Sequence, residues 1–279
     1  MPLLTALREH WPEYLIEGWA LGCFMISAGV FATLLGSPLS PVYCVVSSVT
    51  ERTVLTGLAM GATAILLIHS PWGKRSGAHM NPAVTLAFLR LGKVRAWDAL
   101  FFVIAQTLGG TLGIVVTAAL LGRSFTDTPV SYAVTVPGAS GTVVAFIAEA
   151  VISFGLMVTV LRFSASPRLG RYTGLAAGCL VAVYISVESP LSGMSMNPAR
   201  TFASAAPAMN FQGLWVYLIA PPLGMLVAAQ VHLLRRGTRV TGCAKLLHPE
   251  NVRCIHCGHE PGGARRTSVP TSDLRSIQS

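Results

Sequence analysis

One ten-residue pattern occurs twice in this chain, once in each half. Ser76-Gly77-Ala78-His79-Met80-Asn81-Pro82-Ala83-Val84-Thr85 and Ser192-Gly193-Met194-Ser195-Met196-Asn197-Pro198-Ala199-Arg200-Thr201 agree at Ser, Gly, Met, Asn, Pro, Ala and Thr. A single Asn-Pro-Ala is an ordinary turn or helix start, but a matched pair in an apolar chain is hard to produce by chance. Pro is tolerated at the first helical position because its missing N–H would be unpaired there anyway. Asn immediately before it is a good N-cap. Each stretch therefore predicts a loop that enters a helix at Pro82 or Pro198. The first helix meets Arg90, Gly92 and Lys93, and the second ends near Pro207. Neither reaches the roughly 20 residues that a bilayer span needs. Two half-helices behind polar loops, one per repeat, point to a transport site at mid-membrane.

The remainder of the chain supplies full spans. Apolar runs cover about 15–36, 53–71, 97–121, 142–162, 172–187 and 212–234, which makes three spans and one half-helix, twice. The expected fold is an all-α membrane protein with six transmembrane helices and two re-entrant half-helices. Its repeats cover about 14–121 and 142–236 within a domain 14–236. Residues 1–13 read as an N-terminal segment with a short interfacial helix, Trp11 and Tyr14 suiting the interface, and no cleavable signal is indicated. Residues 237–279 form a tail whose end, 260–279, has the composition of disorder. Charged residues make up only 11% of the chain, against about 25% in soluble domains.

The net charge of +9 would suggest nucleic acid in a soluble protein. Here the basic residues sit at the ends of apolar runs, so they orient the chain and no nucleic-acid partner is expected. With the N-terminus inside, Lys74, Arg75, Arg90, Lys93, Arg95, Arg162, Arg168, Arg171, Arg235, Arg236 and Arg239 are cytoplasmic, and only Arg52 and Arg123 fall in outer loops. Both termini are then cytoplasmic, in a cell or inner membrane. Three spans per half force the second half to enter from the opposite side. The repeats are inverted and their half-helices meet tip to tip.

On the paired Asn-Pro-Ala boxes, with Arg directly after the second, the chain resembles the aquaporins, the major intrinsic protein family, over roughly residues 10–236. The resemblance implies a passive channel for water and/or small uncharged solutes, with glycerol-like polyols, urea or metalloid acids in range and protons and ions excluded. It also implies a homotetramer in the bilayer with a pore in each protomer, no enzymatic chemistry and no required cofactor. Each helix N-terminus carries roughly +0.5 elementary charge, so two facing tips disfavour cations at mid-pore. Asn81, Pro82, Ala83, Asn197, Pro198 and Ala199 are the expected pore motifs, their Asn amides donating to a passing oxygen. The alternative is that the Asn side chains only cap their helices.

Arg200 follows the second triplet where the first half has Val84. An intramembrane cation lines a watery path or pairs with a buried carboxylate; the resemblance makes it the Arg of the outer constriction. By spacing from the triplets, the other constriction positions look like Met60 (or Gly61, one register on), Ile185 and Met194. Water-selective members of the family have Phe and His at the first two, and neither is here. Ile185 leaves an apolar wall opposite Arg200, as in glycerol-type channels, yet the Asp such channels place after the Arg is Thr201. The stretch from Leu214 to Pro221 resembles the nodulin-like and related bacterial subgroup.

Glu17 and Glu149 occupy matching places in the first and fourth spans. Either they form an ionisable relay, or, as in the family, they accept hydrogen bonds from loop backbones that lipid would leave unpaired. His79 is a pH gate or a structural histidine. Gly57, Gly61, Gly109, Gly113, Gly174 and Gly178 fit close helix crossings. Cys23 and Cys179 read as buried thiols, Cys44 is alone in a loop, and no disulfide framework is indicated. In the tail, Cys254-Ile255-His256-Cys257-Gly258 can present two thiolates to zinc, with Cys243 and His248 completing a tetrahedral set. His256 and His259 are alternative ligands, and reduced thiols on a flexible cytoplasmic tail are the competing reading. Two other functional classes stand beside the channel. One is an ion-coupled secondary transporter, which also uses inverted repeats. The other is a non-conducting or sensory member with a closed, Met-lined constriction. No nucleophile–base set argues for an enzyme.

Overall fold

In lipid every backbone N–H and C=O must be bonded within its own segment, so long apolar runs become helices. The computed structural model describes residues 2–236 and 243–261. Eight principal helices follow one another: α1 Leu3–Gly36, α2 Val49–His69, α3 Pro82–Arg90, α4 Ala96–Leu121, α5 Gly141–Ser164, α6 Thr173–Ser192, α7 Pro198–Ala208 and α8 Leu214–Arg236. All but α3 and α7 are long and apolar enough to cross a membrane. Short helices at Pro41–Val45, Pro71–Ser76 and Arg123–Thr126 lie in the connections. Arg239 and the residues from 262 onward, where disorder is expected, lie outside the described residues.

Close glycine contacts reveal the inverted repeat. α1 runs parallel to α4, with Gly18 against Ala105 and Gly22 against Gly109, and α5 runs parallel to α8, with Gly224 against Ala150. Between the repeats α2 and α6 are antiparallel, pairing Gly57 with Ala182 and Gly61 with Gly178. A Cβ at Gly61 would stand 2.6 Å from Gly178 O, so only glycine permits this approach. Each half-helix packs on the last span of its own repeat and on that of the other: α3 on α4 and α8, α7 on α8 and α4.

Two boundaries differ from expectation. Residues 3–13 form no separate interfacial helix; α1 continues through Pro12. The reason is tertiary: buried Asp98 on α4 accepts from Tyr14 Oη at 2.6 Å and lies 2.8 Å from His10 Nδ1, which ties the polar first turns to the bundle. Tyr14 is consequently buried rather than interfacial, whereas Trp11 is exposed. α6 likewise runs on through Pro190 to Ser192. Cys179 faces outward instead of lying buried, and Cys23 is partly buried.

The described part of the tail, 243–261, is docked rather than free. Leu246 N donates to Gly77 O at 3.1 Å, and Ile255 packs with Tyr14 and Phe102.

Candidate functional site

The two polar loops are held by one device, used twice. Glu17 Oε1 accepts from Ser76 Oγ (2.7 Å) and His79 N (3.0 Å), and its Oε2 from Met80 N (2.7 Å). Glu149 Oε1 accepts from Ser192 Oγ (2.8 Å) and Ser195 N (2.6 Å), and its Oε2 from Met196 N (2.7 Å). Both carboxylates are fully buried. The loops need this support because Ala78, Met80, Met194 and Met196 all have positive φ, between 49° and 54°. Such backbone costs roughly 1–3 kcal/mol per non-glycine residue unless its surroundings enforce it.

Asn81 and Asn197 do more than cap. Asn81 Oδ1 accepts from Ala83 N at 2.8 Å, and Asn197 Oδ1 from Ala199 N at 3.1 Å and Arg200 N at 3.2 Å. Each Nδ2 also crosses to the other repeat: Asn81 donates to Met196 O and Asn197 to Met80 O, both at 2.7 Å. An amide NH2 has two donors, so each Asn retains one N–H for another acceptor. Pro82 and Pro198 open the two half-helices, and Ala83 and Ala199 are buried behind them.

A cavity of about 210 Å³ passes both Asn residues. α2 lines it at every fourth position with Thr56, Met60, Ala64 and Ile68, and α6 does so with Ala177, Val181, Ile185 and Ser189. From Thr56 to Ile68 is about 18 Å of helix at 1.5 Å per residue. Met60, Ile185, Met194 and Arg200 all border the cavity, while Gly61 lies against Gly178 at the α2–α6 contact. Arg200 Nη1 is buried with no hydrogen-bond partner among the described residues. A buried unpaired donor costs about 1–3 kcal/mol, so this atom carries unfilled hydrogen-bonding capacity. Ala133 of the α4–α5 connection and Leu246 of the tail also line the cavity.

Sequence reasoning missed several residues here. Gln106 donates to Glu17 Oε2 at 2.8 Å, and Tyr217 Oη donates to Ser192 O at 2.5 Å. Glu188 is buried with neither oxygen partnered among the described residues. A lone Gln, Tyr or Glu in an apolar span was the available signal. His79 is buried, with Nδ1 3.0 Å from Thr85 Oγ1 and its Nε2–H donated to Ala244 O at 2.8 Å. Both ring nitrogens are thus engaged in structure.

In the tail, one ligand atom each from Cys243, His248, Cys254 and Cys257 lies within 4.8 Å of the others. His256 Nε2 instead meets Ser76 O at 3.0 Å, and His259 Nε2 meets Glu250 O at 2.6 Å. Hydrogen bonds from the neighbouring Cys243, Cys254 and His248 hold the Cys257 thiol well below its usual range. The Cys254 and Cys257 sulfurs push His248 up to about 10.

Comparison with known proteins follows this geometry. Residues 19–232 match the family model described as "Major intrinsic protein". The chain is 39% identical over 178 residues to aquaporin NIP3-1 of Zea mays, covering 63% of this chain and 56% of that protein. It is 34% identical over 194 residues to aquaporin NIP1-2 of Arabidopsis thaliana, covering 67% and 65%. The chain thus spans less than two thirds of the length of these curated relatives. NIP-type proteins are the nodulin-like branch that the Leu214–Pro221 stretch resembles. Among solved structures, the aquaglyceroporin from Plasmodium falciparum matches with a TM-score of 0.65 and 21% identity, covering 83% of this chain and 99% of that one. That likeness concerns the fold.

Proposed function

Since the chain belongs to the major intrinsic protein family and is an integral membrane protein, we propose that it is a passive transmembrane channel for water and small uncharged solutes. The observation that carries this reading is the cavity running past both Asn-Pro-Ala loops, bordered by an Arg200 nitrogen that has no hydrogen-bond partner among the described residues. A solute oxygen passing the loops meets the free Asn81 and Asn197 N–H groups and then Arg200. The two half-helix N-termini add positive potential at the same point, which disfavours cations. Met60, Ile185 and Met194 form the apolar wall facing Arg200. With no aromatic or His among these four residues, the passage suits glycerol-sized polyols, urea or uncharged metalloid acids as well as water.

Glu17 and Glu149 act here as scaffold for the loops. Permeation calls on no cofactor and no enzymatic step; zinc, where it enters this molecule, belongs to the tail and not to the transport path. The basic residues at the ends of the spans support cytoplasmic termini. The family resemblance carries over a homotetramer with one pore per protomer. Residues 14–236 form the channel domain, preceded by a short N-terminal segment and followed by the tail.

The test is stopped-flow light scattering on proteoliposomes of the full chain, prepared with a chelator on both sides. Water, glycerol, urea and boric acid are compared with protein-free vesicles. The expected result is water flux together with at least one of the three solutes. Water flux alone would mean that the Met side chains, which are flexible, close the space at the constriction.

A further inference from the structure

The tail contributes two things that the channel reading leaves unused: a convergent set of soft ligands, and a leucine that lines the cavity. Cys243 Sγ lies 3.3 Å from Cys254 Sγ, and His248 Nε2 lies 3.2 Å from Cys257 Sγ. A tetrahedral zinc with Zn–S near 2.3 Å implies ligand–ligand edges of about 3.8 Å, so these four atoms need only small shifts to close on one ion. The backbone is already formed for it. Gly258 sits at φ +72° directly after Cys257, its N–H reaches Cys254 O at 3.0 Å, and Cys254 N–H reaches His259 O at 2.9 Å. This ties the Cys-x-x-Cys turn so that both sulfurs face one side.

Charge balance is compatible with such a centre. Three thiolates, a neutral imidazole and Zn²⁺ leave one net negative charge. Lys245, between the ligands in sequence, is only 2% exposed, and its ammonium donates to Arg253 O at 2.7 Å. No carboxylate pairs with it among the described residues. A buried ammonium is favoured by negative charge nearby; the Glu13 carboxylate acts on Lys245, and a three-thiolate zinc centre would add a second source.

The same segment reaches the pore. Between Cys243 and His248, Leu246 N–H donates to Gly77 O (3.1 Å), Ala244 O accepts from His79, and Leu246 lines the cavity. We propose that Cys243, His248, Cys254 and Cys257 bind Zn²⁺, and that the metal-folded tail holds Leu246 in the lining of the cavity and restricts flux. The second half of this proposal rests on the channel reading; the metal site does not.

Two measurements on the full chain separate the halves. Purified protein is titrated with Co²⁺ as a spectroscopic probe, then with Zn²⁺. One ion per protomer is expected, with tetrahedral thiolate-to-cobalt charge-transfer bands that Zn²⁺ displaces and that vanish in Cys254→Ser/Cys257→Ser. Sub-stoichiometric metal, or bands unchanged in that double variant, would overturn the site. In proteoliposomes, zinc-loaded protein should pass solute several-fold more slowly than chelator-treated protein. Leu246→Ala, which keeps all four ligands, should bind Zn²⁺ normally yet lose the flux difference. Equal zinc sensitivity in Leu246→Ala, or none in the unaltered chain, would overturn the gating. Absence of flux from every form, chelated Leu246→Ala included, would count against the channel reading and the gating together and leave the cobalt spectrum to decide the site.

Discussion

The two polar loops share their anchors but not their covers. Ser76 and Ser192, His79 and Ser195, and Met80 and Met196 meet Glu17 and Glu149 through the same atoms. The carbonyls of Ser76 and Ser192 occupy equivalent places, yet the first takes its hydrogen bond from His256 of the tail and the second from Tyr217 of α8. Gly77 lies against Lys245 of the tail, whereas Gly193 lies against Thr135 and Val136 of the α4–α5 connection. Duplication therefore preserved what keeps buried backbone paired. What differs is what stands over each mouth, and the residue after each triplet, Val84 or Arg200.

The largest effect should come from breaking the shared anchor. Glu149→Leu leaves the Ser192 hydroxyl and the Ser195 and Met196 N–H groups without their acceptor, at about 1–3 kcal/mol each. Folded yield by size-exclusion chromatography should collapse. Glu17→Leu should do at least as much harm, since Glu17 also serves Gln106. Glu149→Gln keeps one acceptor oxygen and should retain partial function. If Leu were tolerated while Gln selectively abolished transport, the carboxylate would be acting by ionising.

Next in size is the residue that breaks the symmetry. Arg200→Val makes the second triplet end as the first does. Small-solute flux should rise and cation exclusion weaken, read as faster glycerol re-swelling and a larger potassium leak. Unchanged leaks in well-folded protein would argue that Arg200 does not face the path.

A smaller shift is expected from Ile185→His, which narrows the passage and adds a donor opposite Arg200. The water-to-glycerol permeability ratio should increase. A ratio that stayed constant or fell would place the limiting wall elsewhere in the cavity.

The smallest effects should come from the covers. Tyr217→Phe and His256→Ala each remove the donor to one of the two equivalent serine carbonyls, at about 0.5–1.5 kcal/mol net. Both should lower the melting midpoint slightly, and zinc chelation should add to the loss in each, because the tail keeps its bonds to Gly77 and His79 in both variants. No additional loss on chelation in either variant would show that the metal does not brace the first loop through the tail.

Much of this was legible in the sequence, because lipid leaves few choices. An uncharged run of span length must be a helix, and a doubled Asn-Pro-Ala between such runs must be a pair of loops feeding half-helices. Glu17 and Glu149 stood out because carboxylates are expensive in apolar spans. What escaped was whatever depends on distant residues meeting. The continuation of α1 to Leu3 depends on Asp98, 84 positions beyond Tyr14. Ala133 reaches the cavity through three successive left-handed residues, Ser131, Tyr132 and Ala133, which no periodicity announces. Leu246 sits in a polar, cysteine-bearing tail that reads as solvated until its backbone is seen bonded to Gly77.

The central claim is passive conduction of uncharged solutes past two facing helix tips. Its most direct test follows glycerol and proton flux in the same chelated proteoliposomes, using light scattering and an entrapped pH dye. The account predicts glycerol flux that rises in proportion to its gradient, needs no ion gradient, and is accompanied by a proton leak no greater than that of protein-free vesicles. Glycerol flux that saturates and requires a proton or sodium gradient, or that brings protons with it, would contradict the account and indicate a coupled transporter.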